Sequence, residues 1–132
     1  MIANAWHRRV LLFLVLWVGL LIVGRDRLLR DPGTFWHTVA GQRMLESRQL
    51  IRTDPFSFTE AGQPWLARQW LSELAMAWLH RIGGLDSLLV ATTTLLAWLF
   101  AWLFGRLADR GLPQGLALCV MILAMGASTH HF

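Results

Sequence analysis

Charge is scarce in this sequence. Acidic and basic residues together make up 15% of the 132 residues, against about 25% in soluble domains. Apolar residues make up 55%, and counting the 11 Gly raises the set to roughly 63%, against about 45 to 50% in soluble proteins. A chain so poor in charge cannot cover itself with a water-facing surface, which directs the reading toward a bilayer. Cys119 is the only cysteine, so a secreted disulfide scaffold is excluded. The apolar excess excludes intrinsic disorder. Lysine and tyrosine are absent, and all 12 basic residues are Arg. A net charge of +4 would suggest nucleic acid in a soluble chain. Here the Arg residues form no run and flank hydrophobic stretches, as snorkelling membrane anchors do, so no nucleic-acid partner is expected.

Three apolar runs take the place of that missing charge. The first, residues 10–24, follows His7, Arg8 and Arg9 and precedes Arg25. At about 1.5 Å per residue it covers about 22 Å, so Trp6 and the flanking Arg stems must extend it across a core of about 30 Å. No small-x-small cleavage site follows, which makes it an uncleaved signal anchor rather than a signal peptide. The second run, residues 85–105, is free of charge from Ser87 to Gly105 and is long enough to span. A third, residues 112–129, opens at Pro113, where a first helical turn tolerates proline. Arg8 and Arg9 before the first run, and Arg106 and Arg110 between the second and third, place those short segments in the cytoplasm and residues 25–84 outside. That stretch holds eight Arg against six acids, but its length of about 60 residues is where the positive-inside rule stops counting. The expected fold is therefore an all-α membrane protein of three transmembrane helices. Its large extracytoplasmic first loop contains two amphipathic helices and a short β-ribbon.

That loop carries most of the charge and the densest turn signals, so function is sought there. Asp31-Pro32-Gly33-Thr34 reads as an N-cap with proline in the first turn. In the helix that follows, Phe35, Trp36, Val39, Ala40 and Met44 share one half of the wheel with Arg43 intruding, as in an interfacial helix. Asp54-Pro55 restricts the backbone, Phe56-Ser57-Phe58-Thr59 alternates like a strand, and Pro64-Trp65-Leu66 is a return strand after a turn at residues 60–63. Asp54 reads as a turn residue. A second helix over residues 69–82 sets Gln69, Glu73 and His80 on one narrow face and Trp70, Leu71, Leu74, Trp78 and Ile82 over much of the rest. Its polar stripe either faces water or lines a site beside Arg68, which suits an anion.

Catalytic signatures of soluble enzymes are missing. Glu73 and His80 lie about 10 Å apart along a helix, too far to share an ion, and His130-His131 is not at ligand spacing, so no metal site is expected from spacing. The sequence holds no His-Glu-x-x-His, Cys-x-x-Cys-His, Gly-x-Ser-x-Gly, P-loop or Gly-x-Gly-x-x-Gly.

The order Arg30-Asp31-Pro32-Gly33-Thr34-Phe35-Trp36-His37, Gly41, Thr53-Asp54-Pro55-Phe56-Ser57-Phe58-Thr59, Gly62, Trp65 and Gln69-Trp70-Leu71 resembles the N-terminal part of bacterial membrane proteins of the GT-C glycosyltransferase superfamily. The likeness covers residues 30–84 by motif and the remainder by topology. It implies a multi-pass protein of the bacterial inner membrane with a cytoplasmic N-terminus and further transmembrane helices beyond residue 132. It also implies a polyprenyl-phosphate-linked sugar as donor, an extracytoplasmic acceptor, contact with membrane lipid, and a divalent metal as the cofactor such enzymes can use. An acid early in the first loop serves catalysis or metal binding in that superfamily, and Asp31 matches it. Gly33 and Thr34 stand where relatives carry a second acid, a departure from the paired-carboxylate pattern. Under this resemblance Asp31 is the base, Arg68 or Arg30 holds the departing phosphate, and His37, Gln69 and Glu73 contact substrate. The competing class is a non-catalytic polytopic membrane protein whose external loop binds a lipid or a protein partner.

Overall fold

The computed structural model describes residues 2–25, 28–29 and 31–128. Arg30 and the end of the third apolar run, residues 129–132, lie outside the described residues. The described chain is all-helical: α1 (Ile2–Gly24), α2 (Pro32–Ser47), α3 (Trp70–Asp109) and α4 (Gln114–Ser128). Two helices are long and apolar enough to cross a membrane, Trp6–Gly24 and Trp70–Asp109, while Gln114–Ala127 is a shorter apolar helix. The chain divides into two compact units, Arg30–Leu88 and the combination of Met1–Leu29 with Leu89–Phe132.

In the 30–88 unit, α2 begins where the sequence places its cap. Asp31 is extended (φ −66°, ψ 122°) and its carboxylate accepts the Gly33 N–H at 3.0 Å, with Pro32 opening the helix. Such a cap contributes about 1 kcal/mol. The helix ends at Arg48, which is left-handed at φ 55°. Thr38, Ala40, Gly41 and Met44 are its buried residues, whereas Phe35, Trp36 and Val39 are exposed. The packed face thus overlaps the apolar half of the wheel only at Ala40 and Met44 and extends past it to Thr38 and Gly41. Gly41 sets this arrangement: a Cβ there would overlap the Glu73 carbonyl oxygen and approach the Ala77 Cβ to 2.8 Å. Only a residue without a side chain lets α2 lie directly on the 73–77 turn of α3, and Ala77, fully buried, completes the contact.

Between α2 and α3 the chain is held by local bonds rather than by strands. Asp54 accepts the N–H groups of Phe56 (2.8 Å) and Ser57 (3.0 Å) and the Ser57 hydroxyl. Those amides are spent on a side chain, so the alternation at residues 56–59 builds no ladder. Pairing is present as one antiparallel bridge, Thr53 with Pro64, closed by a left-handed Gly62. Phe56 instead packs on Trp36, with ring centroids 4.0 Å apart, and under the Arg43 guanidinium at 4.5 Å. α3 is broken at Gly83 and Gly84, whose φ/ψ values are non-helical. Gly84 takes φ 64°, which favours glycine, and the sequence places its helix boundary at the same pair.

In the other unit, Trp17 of α1 donates its indole N–H to Thr94 Oγ1 of α3 at 3.0 Å, and Arg9 pairs with Asp109. Thr93, Ala97, Ala101 and Gly105 recur every fourth residue on α3 and all are buried. Small residues at this spacing let helices approach closely where no hydrophobic effect drives them together. The Thr93 hydroxyl is satisfied within its own helix by the Leu89 carbonyl at 2.8 Å. Outward lie Leu11, Val15, Ile22, Leu95 and Leu123, each more than half exposed.

Candidate functional site

The closeness of α2 to residues 73–77 of α3, imposed by Gly41, brings two polar pairs face to face. His37, one turn before Gly41, lies with Nδ1 2.9 Å from Glu73 Oε1, and Gln42 Nε2 lies 3.1 Å from His80 Nδ1. The polar stripe expected on residues 69–82 therefore faces α2, while Trp70, Leu71, Trp78 and Ile82 are exposed. This polarity is the inverse of a water-soluble helix pair, which buries its large apolar residues and exposes its carboxylates.

Glu73 is the centre of the arrangement. It is 2% exposed, its Oε1 is bonded to His37, and its Oε2 is buried with no hydrogen-bond partner among the described residues. An unpaired buried acceptor costs about 1–3 kcal/mol, so natural folds keep few. Beside it opens a cleft of about 540 Å³ lined by His37, Pro64, Trp65, Leu66, Arg68, Gln69 and Glu73. Arg68 and Gln69 are exposed and Trp65 is partly buried. The lining thus combines a guanidinium, an amide, an imidazole and a carboxyl with one indole ring. Such a set offers both donors and acceptors to hydroxyl and phosphate groups and an aromatic face to an apolar patch.

Four residues singled out from the sequence, His37, Arg68, Gln69 and Glu73, therefore share one cleft. Asp31 is not among the residues that line it. Its Oδ1 caps α2, and Oδ2 has no partner among the described residues. Asp54 is committed to its turn. The Ser57 hydroxyl, followed by the Phe56 and Ser57 N–H groups, holds its carboxyl below the ordinary range against a small opposing effect of burial. A carboxylate so stabilised is a weak base. Among the described residues no three His, Cys, Asp or Glu side chains gather as a metal site. Glu73 and His37 supply only two ligands, fewer than a resident divalent ion needs.

Trp65 and Gln42 are the participants that the sequence did not single out for the site. Trp65 has the pattern of a strand residue, and its place in the cleft follows from the Thr53–Pro64 bridge, at which Trp65 donates its N–H to the Arg52 carbonyl at 2.9 Å. For Gln42 a signal exists. His37, Gly41 and Gln42 fall toward one side of α2, with a glycine between two polar residues that then pair across the helix contact. Compared with protein-family models, with curated proteins and with solved structures, the chain matches none of them.

Proposed function

We propose that this chain belongs to a GT-C-like membrane glycosyltransferase that moves a sugar from a polyprenyl-phosphate donor to an extracytoplasmic acceptor. In this reading the protein sits in a bacterial inner membrane with its N-terminus in the cytoplasm and spans it at residues 10–24, 85–105 and 112–129. The intervening loop, with its two amphipathic helices and the short ribbon around Thr53 and Pro64, meets the donor on the outer side. Further transmembrane helices of the same protein complete the enclosure of the lipid.

The observation that carries the reading is the cleft around Glu73. Arg68 is positioned to neutralise a departing phosphate, a role that guanidinium suits by its forked donors. Trp65 offers a flat apolar face to the C–H side of a sugar ring. Gln69 and His37 take up sugar hydroxyls, and Glu73, whose Oε1 is bonded to His37, orients that imidazole at the wall of the cleft. Asp31, which does not line the cleft, is assigned as the base from its match to the GT-C pattern rather than from the cleft. Capping occupies Oδ1 and leaves Oδ2 to take the acceptor proton.

One variant separates this from a non-catalytic loop that binds a lipid or protein. Asn caps a helix about as well as Asp, so Asp31→Asn leaves folding within a few tenths of a kcal/mol. Loss of a general base lowers rate by about 10² to 10⁴. The reading expects Asp31→Asn to abolish sugar transfer by the complete protein at unchanged expression. Full activity of the variant would make Asp31 a cap alone.

A further inference from the structure

Another concave site lies between α1 and α3, in the unit that contains neither Glu73 nor Asp31. It is a groove of about 510 Å³ whose walls include Trp6, Arg9 and Phe13 from α1 and Trp98, Trp102 and Arg106 from α3. Its two ends differ in chemistry. At one end Arg9 pairs with Asp109. The Arg9 side chain lies flat across α3 at Gly105, where an added Cβ would come within 2.9 Å of its Nε. Arg106, beside it, has no carboxylate partner among the described residues, and its guanidinium sits 5.9 Å from the Trp102 ring centroid. Among the residues that line the groove, two guanidinium groups face one carboxylate, an excess of one positive charge, and Arg8 lines the adjoining hollow with Arg9 and Asp109. At the other end Trp98 and Trp102 line the groove yet are 59% and 50% exposed. Trp98, Trp102 and Arg106 recur every fourth residue, so they form one stripe of about 12 Å from indole to cation.

We infer that this groove holds one anionic phospholipid, with its phosphate on Arg106 and Arg9 and one acyl chain along Phe13, Trp98 and Trp102. The inference rests on the membrane reading of α1 and α3, but not on glycosyl transfer. Charge complementarity selects the occupant. A phosphodiester with an uncharged headgroup carries the single negative charge that the Arg9, Arg106 and Asp109 set leaves unmatched. A zwitterionic headgroup brings its own cation and gains less. The stripe also matches the profile of a lipid, because the cation falls just beyond the uncharged run ending at Gly105 and the indoles lie within it. Gly105 has a definite role here: it lets the Arg9 guanidinium lie against the helix, at the same level as Arg106, instead of projecting away.

The test uses the full chain in mixed micelles or nanodiscs containing equal amounts of phosphatidylglycerol and phosphatidylcholine, with retained lipid counted by native mass spectrometry. The wild-type chain is expected to retain one phosphatidylglycerol at least fivefold over phosphatidylcholine. Arg106→Gln lowers that ratio about fivefold, which corresponds to about 1 kcal/mol per interfacial cation. Gly105→Ala keeps every charge but displaces Arg9, and lowers the ratio in the same direction. Arg81→Gln, outside the groove, leaves the ratio within twofold. Equal retention of the two lipids by the wild type, an unchanged ratio in Arg106→Gln, or an equal loss in Arg81→Gln would each overturn the site. A chain that fails to enter the bilayer would refute the membrane reading instead, so the two failures are distinguishable.

Discussion

Removing the buried carboxyl of Glu73 should change stability very little, although few buried charged groups are replaced without loss. Two opposing quantities decide this. Oε2 is buried without a partner, which costs about 1–3 kcal/mol, and Oε1 is bonded to His37, which returns about 0.5–1.5 kcal/mol, or up to about 3 if one partner is charged. The two are of similar size, and Met has nearly the volume of Glu. Glu73→Met is therefore expected to shift the unfolding free energy by less than about 1 kcal/mol. His37→Ala should behave differently, because it leaves both carboxyl oxygens unpaired, and a loss of about 1–3 kcal/mol is expected. Combining the two changes should recover most of that loss, giving a coupling energy of about 1 kcal/mol or more. The assay is reversible unfolding of the full chain in mild detergent, followed by tryptophan emission. A loss of 3 kcal/mol or more in Glu73→Met would refute the reasoning. That is the signature of a buried ion pair on which the fold depends, and it would mean that Glu73 is kept for stability rather than for a ligand.

Gly41→Ala places a methyl group against the Glu73 carbonyl oxygen, so a destabilisation of about 1–3 kcal/mol is expected. Amide exchange in α2 and residues 70–82 should accelerate together, and an unchanged melting point would refute the close contact. For Asp54 the sign follows from its lowered pKa. The stabilising contribution is fully present above the ordinary carboxyl pKa and is lost as pH falls through the lower folded value. The stability difference between wild type and Asp54→Asn should thus be constant between pH 5 and 8 and shrink only in stronger acid; variation across pH 5 to 8 would contradict it.

Much of the helical architecture was legible because each boundary has a local cause. Asp31-Pro32 is a cap that acts within three residues, and Gly83-Gly84 is a pair that lacks the side chains a helix needs for stability. What the sequence hid depends on contacts between elements. The apolar half of α2 reads as the face of an interfacial helix and says nothing of which residues meet α3. The helix packs through Thr38, Ala40, Gly41 and Met44, with Gly41 and Ala40 permitting the close approach. That contact turned Glu73 and His80 toward α2 and left Trp78 and Ile82 exposed. The alternation at Phe56-Ser57-Phe58 suggested a strand, and the Asp54 side chain captured the amides that such a strand would have used. Trp65 entered the cleft through the bridge between Thr53 and Pro64, residues eleven apart in the chain, a pairing that periodicity does not encode.

The cleft is the central claim, and the most direct measurement is where a polyprenyl phosphate binds. A photoreactive polyprenyl phosphate, carrying its diazirine next to the phosphate, is incorporated into proteoliposomes with the full chain and activated, and the labelled peptides are sequenced. Labelling is expected to concentrate on residues 64–73 and to fall about tenfold in Arg68→Gln, because a charge-assisted contact to phosphate contributes about 1.5 kcal/mol or more. Labelling spread along α1 and α4 and insensitive to Arg68→Gln would contradict it.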